Sequence, residues 1–451
     1  MNIALIILAA GKGTRMKSNL PKVLHPIAGA PMLVHAMRAG ATLTPDRTVI
    51  VAGHGAEAVS AAATDYDPDA TIALQTEQLG TAHAVAQAAP ALAGHEGDSI
   101  VLYGDTPFIR PETLERMVDA RQNHDIVVLG FSAADPGRYG RLVMQGDALE
   151  RIVEYKDADE ATRAIDFCNS GVIAAKSSVL FDLIEAVGNN NASGEYYLTD
   201  IIGIARARGL SATAVACDEA ETLGVNSRAE LAQAETLFQA RARKEAFENG
   251  VTFYAPDSVY FAFDTMIGPG TLIEQNVVFS VGVTVENDAQ IRAFSHLEGC
   301  HVSRGAVVGP YARLRPGTEL AENVKIGNFV EIKNAVLDEG AKINHLSYIG
   351  DAHVGTETNV GAGTVTCNFD GVMKHHTEIG ARVFIGSDTM LVAPVTIGDD
   401  AMTASGSVIT EDVPKGALAL GRAKQVNKPG LAVKLFEILK FKKQKRDEGV
   451  A

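Results

Sequence analysis

Apolar residues recur at every sixth position through most of the C-terminal half of this 451-residue chain. Of 24 positions in the series, 22 are apolar, whereas a chain with 46% hydrophobic residues would fill only about half of them. A period of six fits neither an α-helix nor an ordinary β-strand, whose side chains return to the same face after about 3.6 and about two positions. Five-residue steps and one insertion, at 367–378, divide the series into runs at 267–297, 302–332, 337–349, 354–366 and 379–409.

This hexapeptide period predicts a parallel β-helix with a triangular cross-section. Each group of six residues would form one flat side, three groups would close one coil, and the recurring aliphatic residue would fill a corner of the prism. The series makes about eight coils, which at a strand spacing of roughly 4.8 Å give a column about 38 Å long. The insertion at 367–378 is expected to leave the column as a loop.

The segment 1–226 follows a different pattern, in which short apolar stretches alternate with amphipathic ones. The apolar stretches predict β-strands and include "ALIIL", "TVIVAG", "SIVLYGD" and "DIVVLGF". The stretches between them predict helices. Alternation of this kind predicts an α/β, Rossmann-like domain with a mostly parallel sheet.

A segment rich in Ala, Glu and Arg at 227–250 predicts one long linker helix, since Ser227 can cap its start and Gly250 can end it. The chain is therefore expected to contain a domain at 1–226, the linker helix at 227–250 and a hexapeptide-repeat domain at 251–451. Within the last of these, "LAVKLFEILKF" predicts a C-terminal tail helix that covers or flanks the open end of the prism.

Charge and hydropathy exclude several classes of function. The net charge of −15 disfavours binding to nucleic acid. No run of about eighteen apolar residues is present, so no membrane span is expected, and the apolar N-terminal segment is interpreted as a strand rather than a signal peptide. The four cysteines lie far apart without the spacing of metal ligands, which fits a reducing cytoplasm; they are Cys168, Cys217, Cys300 and Cys367.

The segment "LAAGKGTRM" at 8–16 places two glycines directly after the first predicted strand. It lacks the Walker pattern and the third glycine of a dinucleotide fingerprint. Its glycines would still let backbone N–H groups approach a phosphate, and Arg15 and Lys22 could neutralise a triphosphate. Taken alone, the segment fits a phosphate site and an ordinary strand–turn–helix junction equally well.

Polar residues at the ends of other predicted strands add to this candidate site. The segment "YGDTP" at 103–107 puts Asp105 at the end of a strand, where parallel sheets bind ligands. Its carboxylate would suit Mg²⁺ or, alternatively, cap the helix that follows. The segment "EQLGTAHA" adds a second Gly-Thr turn, and Glu154 and Asn169 lie near further strand ends.

Several motifs in this order along the chain resemble those of the sugar-1-phosphate nucleotidyltransferases. They are "LAAGKGTRM", "LPKVLH", "EQLGTAHA", "YGDTP", "YGR", "IVEYKDA", "NSG", "YYLTD" and "GVNSR". Joined to hexapeptide repeats, the whole chain resembles the bacterial bifunctional N-acetylglucosamine-1-phosphate uridyltransferase / glucosamine-1-phosphate acetyltransferase family. The resemblance implies a left-handed β-helix, although parallel crossovers in general are right-handed.

The resemblance also implies two successive reactions in a cytoplasmic homotrimer. The C-terminal domain would transfer an acetyl group from acetyl-CoA to glucosamine-1-phosphate. The N-terminal domain would then use Mg²⁺ to transfer a uridylyl group from UTP to N-acetylglucosamine-1-phosphate, releasing pyrophosphate and supplying UDP-N-acetylglucosamine for cell-wall precursors. Two alternatives are a nucleotidyltransferase whose solenoid serves only for trimerisation or regulation, and a noncatalytic nucleotide sensor.

For the uridylyl site, the resemblance implies three groups of residues. Arg15 and Lys22 would stabilise the triphosphate, and Asp105 and Asn226 would coordinate Mg²⁺. Further contacts to the nucleotide and the amino sugar would come from Leu8, Ala9, Ala10, Gly11, Gly13, Gln75, Gly80, Thr81, Tyr103, Gly140, Glu154, Asn169 and Thr199. The last four of these would position the amino sugar.

For the acetyl site, the resemblance implies that His345 is the general base and suggests Glu331 as the residue that orients it, whereas a lone surface histidine is usually only solvated. The sugar phosphate would contact Arg315, Lys333, Tyr348, Asn359 and Lys374. Acetyl-CoA would contact Ala362, Asn368, Phe369, Ser387, Ser405 and Arg422. Members of this family commonly have Tyr at the position of Phe369, so any role of a phenolic hydroxyl there would be lost, while a backbone contact would survive.

Overall fold

A computed structural model of the chain describes residues 2–448. It forms two compact units. The first unit comprises the residues up to Ala246 together with Phe261–Asp264. The second comprises Phe247–Tyr260 and the residues from Thr265 onward.

The first unit contains eleven strands and eight α-helices within the described residues. The strands are β1 (Ile3–Ala9), β2 (Pro26–Ile27), β3 (Ala30–Pro31), β4 (Arg47–Ala52), β5 (Thr71–Leu74), β6 (Asp98–Tyr103), β7 (Ile126–Ser132), β8 (Arg141–Gln145), β9 (Ala148–Val153), β10 (Phe167–Lys176) and β11 (Ala212–Cys217). The α-helices are α1 (Met32–Ala41), α2 (Ala56–Tyr66), α3 (Thr81–Ala86), α4 (Pro111–Arg121), α5 (Glu160–Arg163), α6 (Ser177–Ile184), α7 (Asp200–Ala207) and α8 (Arg228–Glu248). Short 3₁₀ turns lie at Thr14–Met16, Lys22–Leu24, Ala89–Leu92 and Glu219–Thr222.

The main sheet of this unit has the strand order β11-β7-β10-β6-β1-β4-β5. Its neighbouring strands are parallel except β10, which runs antiparallel to β6 and β7, and the hairpin β8–β9 pairs with β10 at its side. The prediction of a mostly parallel α/β sheet is therefore confirmed. Because β1, β4, β5 and β6 are parallel, the loops that follow them lie along one edge of the sheet.

Strand β1 shows why the sheet is covered on both faces. All seven of its residues are buried. Ile6 and Leu8 belong to the apolar cluster on one face, whereas Leu5 and Ile7 belong to the cluster on the other. This alternation follows from the two-residue period of a strand.

The predicted linker helix is present as α8, which packs within the first unit. Its Glu235 side chain accepts a hydrogen bond of 2.8 Å from the backbone N–H of Ala28. Gln239, which is buried, donates to the carbonyl of Phe261 at 2.8 Å and accepts from the N–H of the same residue at 2.9 Å. Whether 1–226 and 251–451 are separate functional domains stays a prediction.

The second unit consists mainly of short parallel strands. They are β12 (Thr252–Phe253), β13 (Met266–Ile267), β14 (Leu272–Ile273), β15 (Val278–Phe279), β16 (Thr284–Val285), β17 (Gln290–Ile291), β18 (His296–Leu297), β19 (Cys300–Val302), β20 (Val307–Val308), β21 (Arg313–Leu314), β22 (Thr318–Leu320), β23 (Lys325–Asn328), β24 (Glu331–Leu337), β25 (Lys342–His345), β26 (Tyr348–Val354), β27 (Asn359–Val360), β28 (Val365–Cys367), β29 (Thr377–Ile379), β30 (Phe384–Ile385), β31 (Met390–Val392), β32 (Val395–Ile397), β33 (Met402–Thr403), β34 (Val408–Ile409) and β35 (Leu418–Ala419). A 3₁₀ turn lies at Pro256–Ser258, and α9 (Leu431–Asp447) ends the described chain.

The strand register confirms the parallel β-helix. Ile267 pairs with Val285, and Val285 pairs with Val302. The second of these coils contains a five-residue step and is therefore one residue shorter than the first. Of the 24 predicted corner residues, 23 are buried, and Ile267 in the first coil is half-buried. Val354 pairs with Ile379 on the far side of the insertion, so the insertion leaves the column as predicted.

Helix α9 differs from the prediction for the end of the chain. Every described residue from Leu420 onward is exposed, so the helix does not cover the open end of the prism. The physical reason lies in its composition, because its last turns carry Lys440, Lys442, Lys443 and Lys445 and burying these cations would require partners. None of the described helices is long and apolar enough to cross a membrane.

Candidate active sites

The Gly-rich loop after β1 is folded tightly against the segment that carries Lys22. Gly13 has a left-handed backbone with φ of +56°, and a Cβ atom added there would lie 2.5 Å from the Cβ of Lys22. Only glycine therefore lets the two segments approach this closely. At Gly11 the space around an added Cβ is open, and the side chain of Gln78 donates a hydrogen bond of 3.0 Å to the carbonyl of Ala10.

Lys22 joins two oxygen atoms that come from distant loops. Its ammonium group forms an ion pair with Asp105 and donates a hydrogen bond of 3.0 Å to Oδ1 of Asn226. The backbone holds these loops together, since the N–H of Val225 donates to the carbonyl of Asp105 at 3.0 Å. The alternative of Asp105 as a helix cap does not apply, because α4 begins at Pro111 and its N-cap is Arg110.

The segment from Gln75 to Thr81 is held against the chain that leads into α7. Gln75 is buried and donates a hydrogen bond of 3.2 Å to the carbonyl of Gly80, which itself has a φ of +123°. The hydroxyl of Thr81 accepts a hydrogen bond of 3.0 Å from the N–H of Leu198. The ring of His83 lies 3.1 Å from the Gln75 amide, a contact that sequence reasoning missed although His83 stands in the quoted motif.

Four predicted sugar-contacting residues lie together near the end of β9, the start of β8, the start of β10 and the start of α7. The hydroxyl of Thr199 donates to Glu154 at 3.2 Å, and the N–H of Asn169 donates to the carbonyl of Gly140 at 2.8 Å. A Cβ added to Gly140 would lie 3.4 Å from Oε1 of Glu154 and 3.6 Å from Cβ of Asn169. Burial raises the pKa of the Glu154 carboxyl, while the hydrogen bond from Thr199 partly offsets this shift.

Tyr103 and Arg15 occupy contrasting environments in the first unit. Burial, followed by the charges of Asp105 and Glu154, raises the pKa of the Tyr103 phenol. Gly171 makes room for this ring, because a Cβ there would lie 2.7 Å from it. Arg15 is exposed and forms no ion pair with any residue in 2–448.

In the second unit, one residue per coil forms a column that includes His345. Asn328 pairs with His345 in neighbouring strands, and the register of the following coils stacks Ala362, Ser387 and Ser405 beyond it. Backbone hydrogen bonds follow the same path, since Gly363 donates to the carbonyl of His345 and Asp388 to that of Ala362. Three predicted acetyl-CoA contacts therefore lie in line with the predicted base.

Asn328, rather than Glu331, contacts His345. Nδ1 of His345 lies 2.9 Å from Oδ1 of Asn328, which can only accept a hydrogen bond. This contact favours the tautomer in which Nδ1 carries the proton and Nε2 is free to accept one. Glu331 instead accepts a hydrogen bond of 2.8 Å from Arg315, so the expected pairing of Glu331 with His345 is wrong. The spacing of 17 residues between Asn328 and His345 is one coil and could have identified Asn328.

Two lysines and one aspartate make a charged group beside this column. The ammonium group of Lys333 lowers the pKa of Lys374, which shows that the two cations are close neighbours. Asp351 accepts hydrogen bonds from Asn334, at 2.6 Å, and from Asn368. Burial alone would raise the pKa of Asp351, but these two amides and the two lysines lower it overall.

The other predicted contacts of the second unit are distributed around this group. A Cβ added to Gly350 would clash with the hydroxyl of Tyr348 and lie 2.9 Å from the amide of Asn368, which places Tyr348 beside Asp351. Asn359 is half-buried on β27. Phe369 is exposed on the insertion, where it bridges to Lys374, and Arg422 lies in the exposed stretch that precedes α9. The register of the last coil places Gly421, the residue before Arg422, next to Ser405 at the end of the column.

Comparison with known proteins yields full-length relatives. The chain is 71% identical over 448 residues to the bifunctional protein GlmU of Ruegeria pomeroyi, covering 99% of this chain and 100% of that one. It is 67% identical over 449 residues to the protein of the same name from Ruegeria sp. (strain TM1040), covering all of both chains. The protein of that name from Roseobacter denitrificans is also 67% identical over 449 residues, again covering all of both chains.

Family comparisons match each unit separately. Residues 5–171 match the MobA-like NTP transferase domain, and residues 376–411 match the bacterial transferase hexapeptide family with six repeats. These regions hold the Gly-rich loop and Asp105 in the first unit and the last coils of the column in the second. With relatives this similar over their whole length, the chain belongs to the family of bifunctional GlmU proteins, which are acetyltransferases and uridyltransferases.

Proposed function

We propose that this chain makes UDP-N-acetylglucosamine in two steps, each carried out by one of its units. The second unit acetylates glucosamine-1-phosphate with acetyl-CoA, and the first unit couples the product to UTP with release of pyrophosphate. The observation that supports this proposal is that each unit brings together several of the side chains that were expected to bind reactants. These sets are the group around Lys22 in the first unit and the column with His345 in the second.

Acetyl transfer requires an unprotonated amine, because an ammonium group has no lone pair to attack the thioester. Nε2 of His345 would take the proton that the amine loses as its nitrogen bonds to the thioester carbonyl. The proton would then pass to the coenzyme A sulfur as the carbon–sulfur bond breaks. Asn328 keeps Nε2 available for this role.

The sugar phosphate would bind next to this base through the neighbouring cations. Lys333 and Lys374 repel each other, so an anion between them would relieve their repulsion. Tyr348 and Asn359 would add uncharged hydrogen bonds to the phosphate and the sugar. Arg315 would contribute after exchanging part of its contact with Glu331 for the phosphate. Acetyl-CoA would lie along Ala362, Ser387 and Ser405, with Asn368, Phe369 and Arg422 at its ends.

Uridylyl transfer needs positioning and neutralisation of charge rather than covalent catalysis. Backbone N–H groups of the loop from Leu8 to Gly13 would approach the phosphates. Lys22 and Arg15 would stabilise the negative charge that passes to pyrophosphate. Gln75, Gly80 and Thr81 would hold the nucleotide, with Tyr103 beside them. Gly140, Glu154, Asn169 and Thr199 would hold the amino sugar.

Asp105 and Asn226 fit the Mg²⁺ that the family resemblance implies. Their two oxygen atoms already converge on one cation, the ammonium of Lys22. No group of three or more His, Cys, Asp or Glu residues within 2–448 could hold a metal ion by itself. This agrees with Mg²⁺, which proteins often bind through one or two oxygen ligands together with substrate phosphates. The ion would draw electron density from the α-phosphate of UTP and so assist its reaction.

Two assays on the full chain test the proposal. Glucosamine-1-phosphate should release the thiol of coenzyme A from acetyl-CoA, and UTP with N-acetylglucosamine-1-phosphate should release pyrophosphate. The variant His345→Ala should lose the first activity and keep the second. Absence of thiol release from the wild-type chain would leave the solenoid as a scaffold, and absence of pyrophosphate release would leave the first unit as a nucleotide sensor.

A homotrimer in the cytoplasm completes the proposal. An aromatic ladder stands exposed beside the His345 column, where Phe294 and Tyr311 stack with centroids 4.8 Å apart and Tyr311 and Phe329 at 5.3 Å. Neighbouring copies would cover this apolar surface. The four free cysteines suit a reducing compartment. Sedimentation equilibrium should give three times the mass of one chain; a monomer would contradict the trimer.

A further inference from the structure

Arg141, the first residue of β8, has a buried guanidinium group. Its relative exposure is 2%, and no carboxylate within residues 2–448 forms an ion pair with it. Taking a cation out of water in this way is unfavourable unless other polar atoms replace the lost hydration. The polar atoms that replace the lost hydration therefore identify the segments that Arg141 holds in place.

The guanidinium group binds backbone carbonyls of two separate segments. Nη1 donates to Pro136 at 3.2 Å and also to Tyr139, and Nη2 donates to Gly137 at 3.2 Å. Nη2 and Nε donate to the carbonyl of Arg163 at 3.3 and 3.4 Å. Arg141 therefore ties the turn at 136–139 to the end of α5.

The ring of Tyr155 extends this network towards the amino-sugar site. The guanidinium carbons of Arg141 and Arg163 lie 5.8 and 4.6 Å from the centroid of the ring. Nε and Nη2 of Arg163 also donate to the Tyr155 carbonyl, each at 3.2 Å. Since Tyr155 follows Glu154 directly, the network reaches one wall of the site.

The opposite wall of the amino-sugar site is formed by Gly140, next to the turn that Arg141 holds. Gly140 comes directly after this turn, and a Cβ added to it would lie 3.4 Å from Oε1 of Glu154. Movement of either segment would change the distance between Gly140 and Glu154. A displacement of about 1 Å is enough to weaken binding and reaction substantially.

We propose that Arg141 is a positioning residue for uridylyl transfer, which sets the separation of Gly140 from Glu154 and so the affinity for N-acetylglucosamine-1-phosphate. This inference rests on the proposed function of the first unit. Arg141 acts through the two segments and does not touch the substrate. The nucleotide contacts around Gln75 and Lys22 come from other loops, so the affinity for UTP should not depend on it.

The variant Arg141→Lys in the full chain tests this role, because lysine keeps the charge but cannot bind both segments at once. We expect the KM for N-acetylglucosamine-1-phosphate to rise about tenfold, with the KM for UTP changed less than about twofold. Acetyl transfer by the same preparation should be unchanged and serves as an internal control for the folding of the second unit, while the retained KM for UTP reports the folding of the first. Arg138→Lys is the matched control, because Arg138 lies in the same turn but is exposed, and both constants should stay at the wild-type values.

A second variant, Tyr155→Leu, removes the ring between the two guanidinium groups and leaves the buried charge in place. The KM for the sugar phosphate should rise about threefold, again without an effect on UTP. This variant decides the question if Arg141→Lys does not fold. An unchanged KM for the sugar phosphate, or an equal rise in both KM values, would overturn the positioning role. Absence of pyrophosphate release from the wild-type chain would instead refute the proposed function.

Discussion

Residues that meet in the first unit are far apart in the sequence, whereas those that meet in the second recur at a regular interval. Lys22 contacts Asp105 and Asn226 across 83 and 204 residues, because three loops reach the same edge of one sheet. Asn328 and His345 are 17 residues apart and meet because one coil has that length. A sheet edge can therefore collect side chains from anywhere in a domain, while a solenoid stacks only those at matching positions.

Two side chains of the candidate sites owe their shifted pKa values to different causes. In the first unit burial raises the pKa of Glu154. In the second unit the neighbouring Lys333, through a hydrogen bond and then through its charge, lowers the pKa of the exposed Lys374. A substitution of Glu154 should therefore alter both stability and activity, whereas one of Lys374 should alter activity alone.

The largest expected effect is that of Asp105→Asn, which removes the carboxylate shared with Lys22. Pyrophosphate release should fall on the order of 100-fold or more, because charge stabilisation at the phosphates is lost. Acetyl transfer in the same chain should be unaffected. Asp119→Asn, an exposed position on α4, is the control and should keep both activities. Retention of full uridylyl transfer by Asp105→Asn would contradict the site.

The next effect concerns the orientation of His345. Asn328→Ala should lower the kcat of acetyl transfer on the order of tenfold, because the imidazole loses the contact that fixes its tautomer. Glu331→Gln provides the contrast, since it should change the KM for glucosamine-1-phosphate through Arg315 and leave kcat nearly unchanged. Steady-state kinetics of thiol release distinguish the two. The reverse pattern would show that Glu331 orients the base after all.

A smaller effect is expected in the pH dependence of sugar-phosphate binding. Since Lys333 lowers the pKa of Lys374, Lys374 loses its charge at a lower pH than an ordinary lysine. The KM for glucosamine-1-phosphate should therefore rise about threefold as the pH rises through this lowered pKa. In Lys333→Gln the KM should be higher throughout, but its rise should move to higher pH. A rise at the same pH in both proteins would exclude coupling between the two lysines.

The smallest effect is one on stability. Glu154 has a pKa above its ordinary value, so the folded protein holds this proton more tightly than the unfolded chain does. The resulting stabilisation is complete at acidic pH and is lost as the pH rises through the folded-state pKa. Glu154→Gln should therefore raise Tm by about 2 °C at pH 7 and leave it unchanged near pH 4, as calorimetry can measure. An equal shift at both pH values would point to packing instead of charge.

Much of the second unit could be predicted from sequence because its period is short and strict. The corner residues and the insertion follow from the six-residue period, whereas the members of the column through His345 are implied by the family resemblance. The sequence favours Glu331 as the partner of His345 because a carboxylate is a familiar partner of a histidine base, whereas the contact is made by Asn328, which lies one coil away. The exposed position of α9 was also missed, since its apolar first half suggested burial and its cationic second half opposed it.

Less of the first site could be predicted, for physical reasons. The order of the strands decides which loops meet, and this order cannot be derived from the strands one at a time. Asp105 could be placed at a strand end, but its contact with Lys22 required the structure. Arg141 stood in the quoted "YGR" motif without an assigned role, because its ligands are backbone carbonyls and these leave no trace in the sequence.

The path of the chain around Phe261–Asp264 has a consequence for protein engineering. After α8 the chain enters the second unit, and then these four residues rejoin the first, where the side chain of Gln239 donates to the carbonyl of Phe261 and accepts from its N–H. No single cut therefore separates the two units intact. A truncation near residue 250 removes Phe261–Asp264 from the fragment that contains the first unit. A truncation after residue 264 leaves part of the second unit, including β12, on that fragment. A chimaera that exchanges the β-helix should therefore keep residues 261–264 from the same parent as the first unit. Otherwise the hydrogen bonds between Gln239 and Phe261 are at risk at the junction.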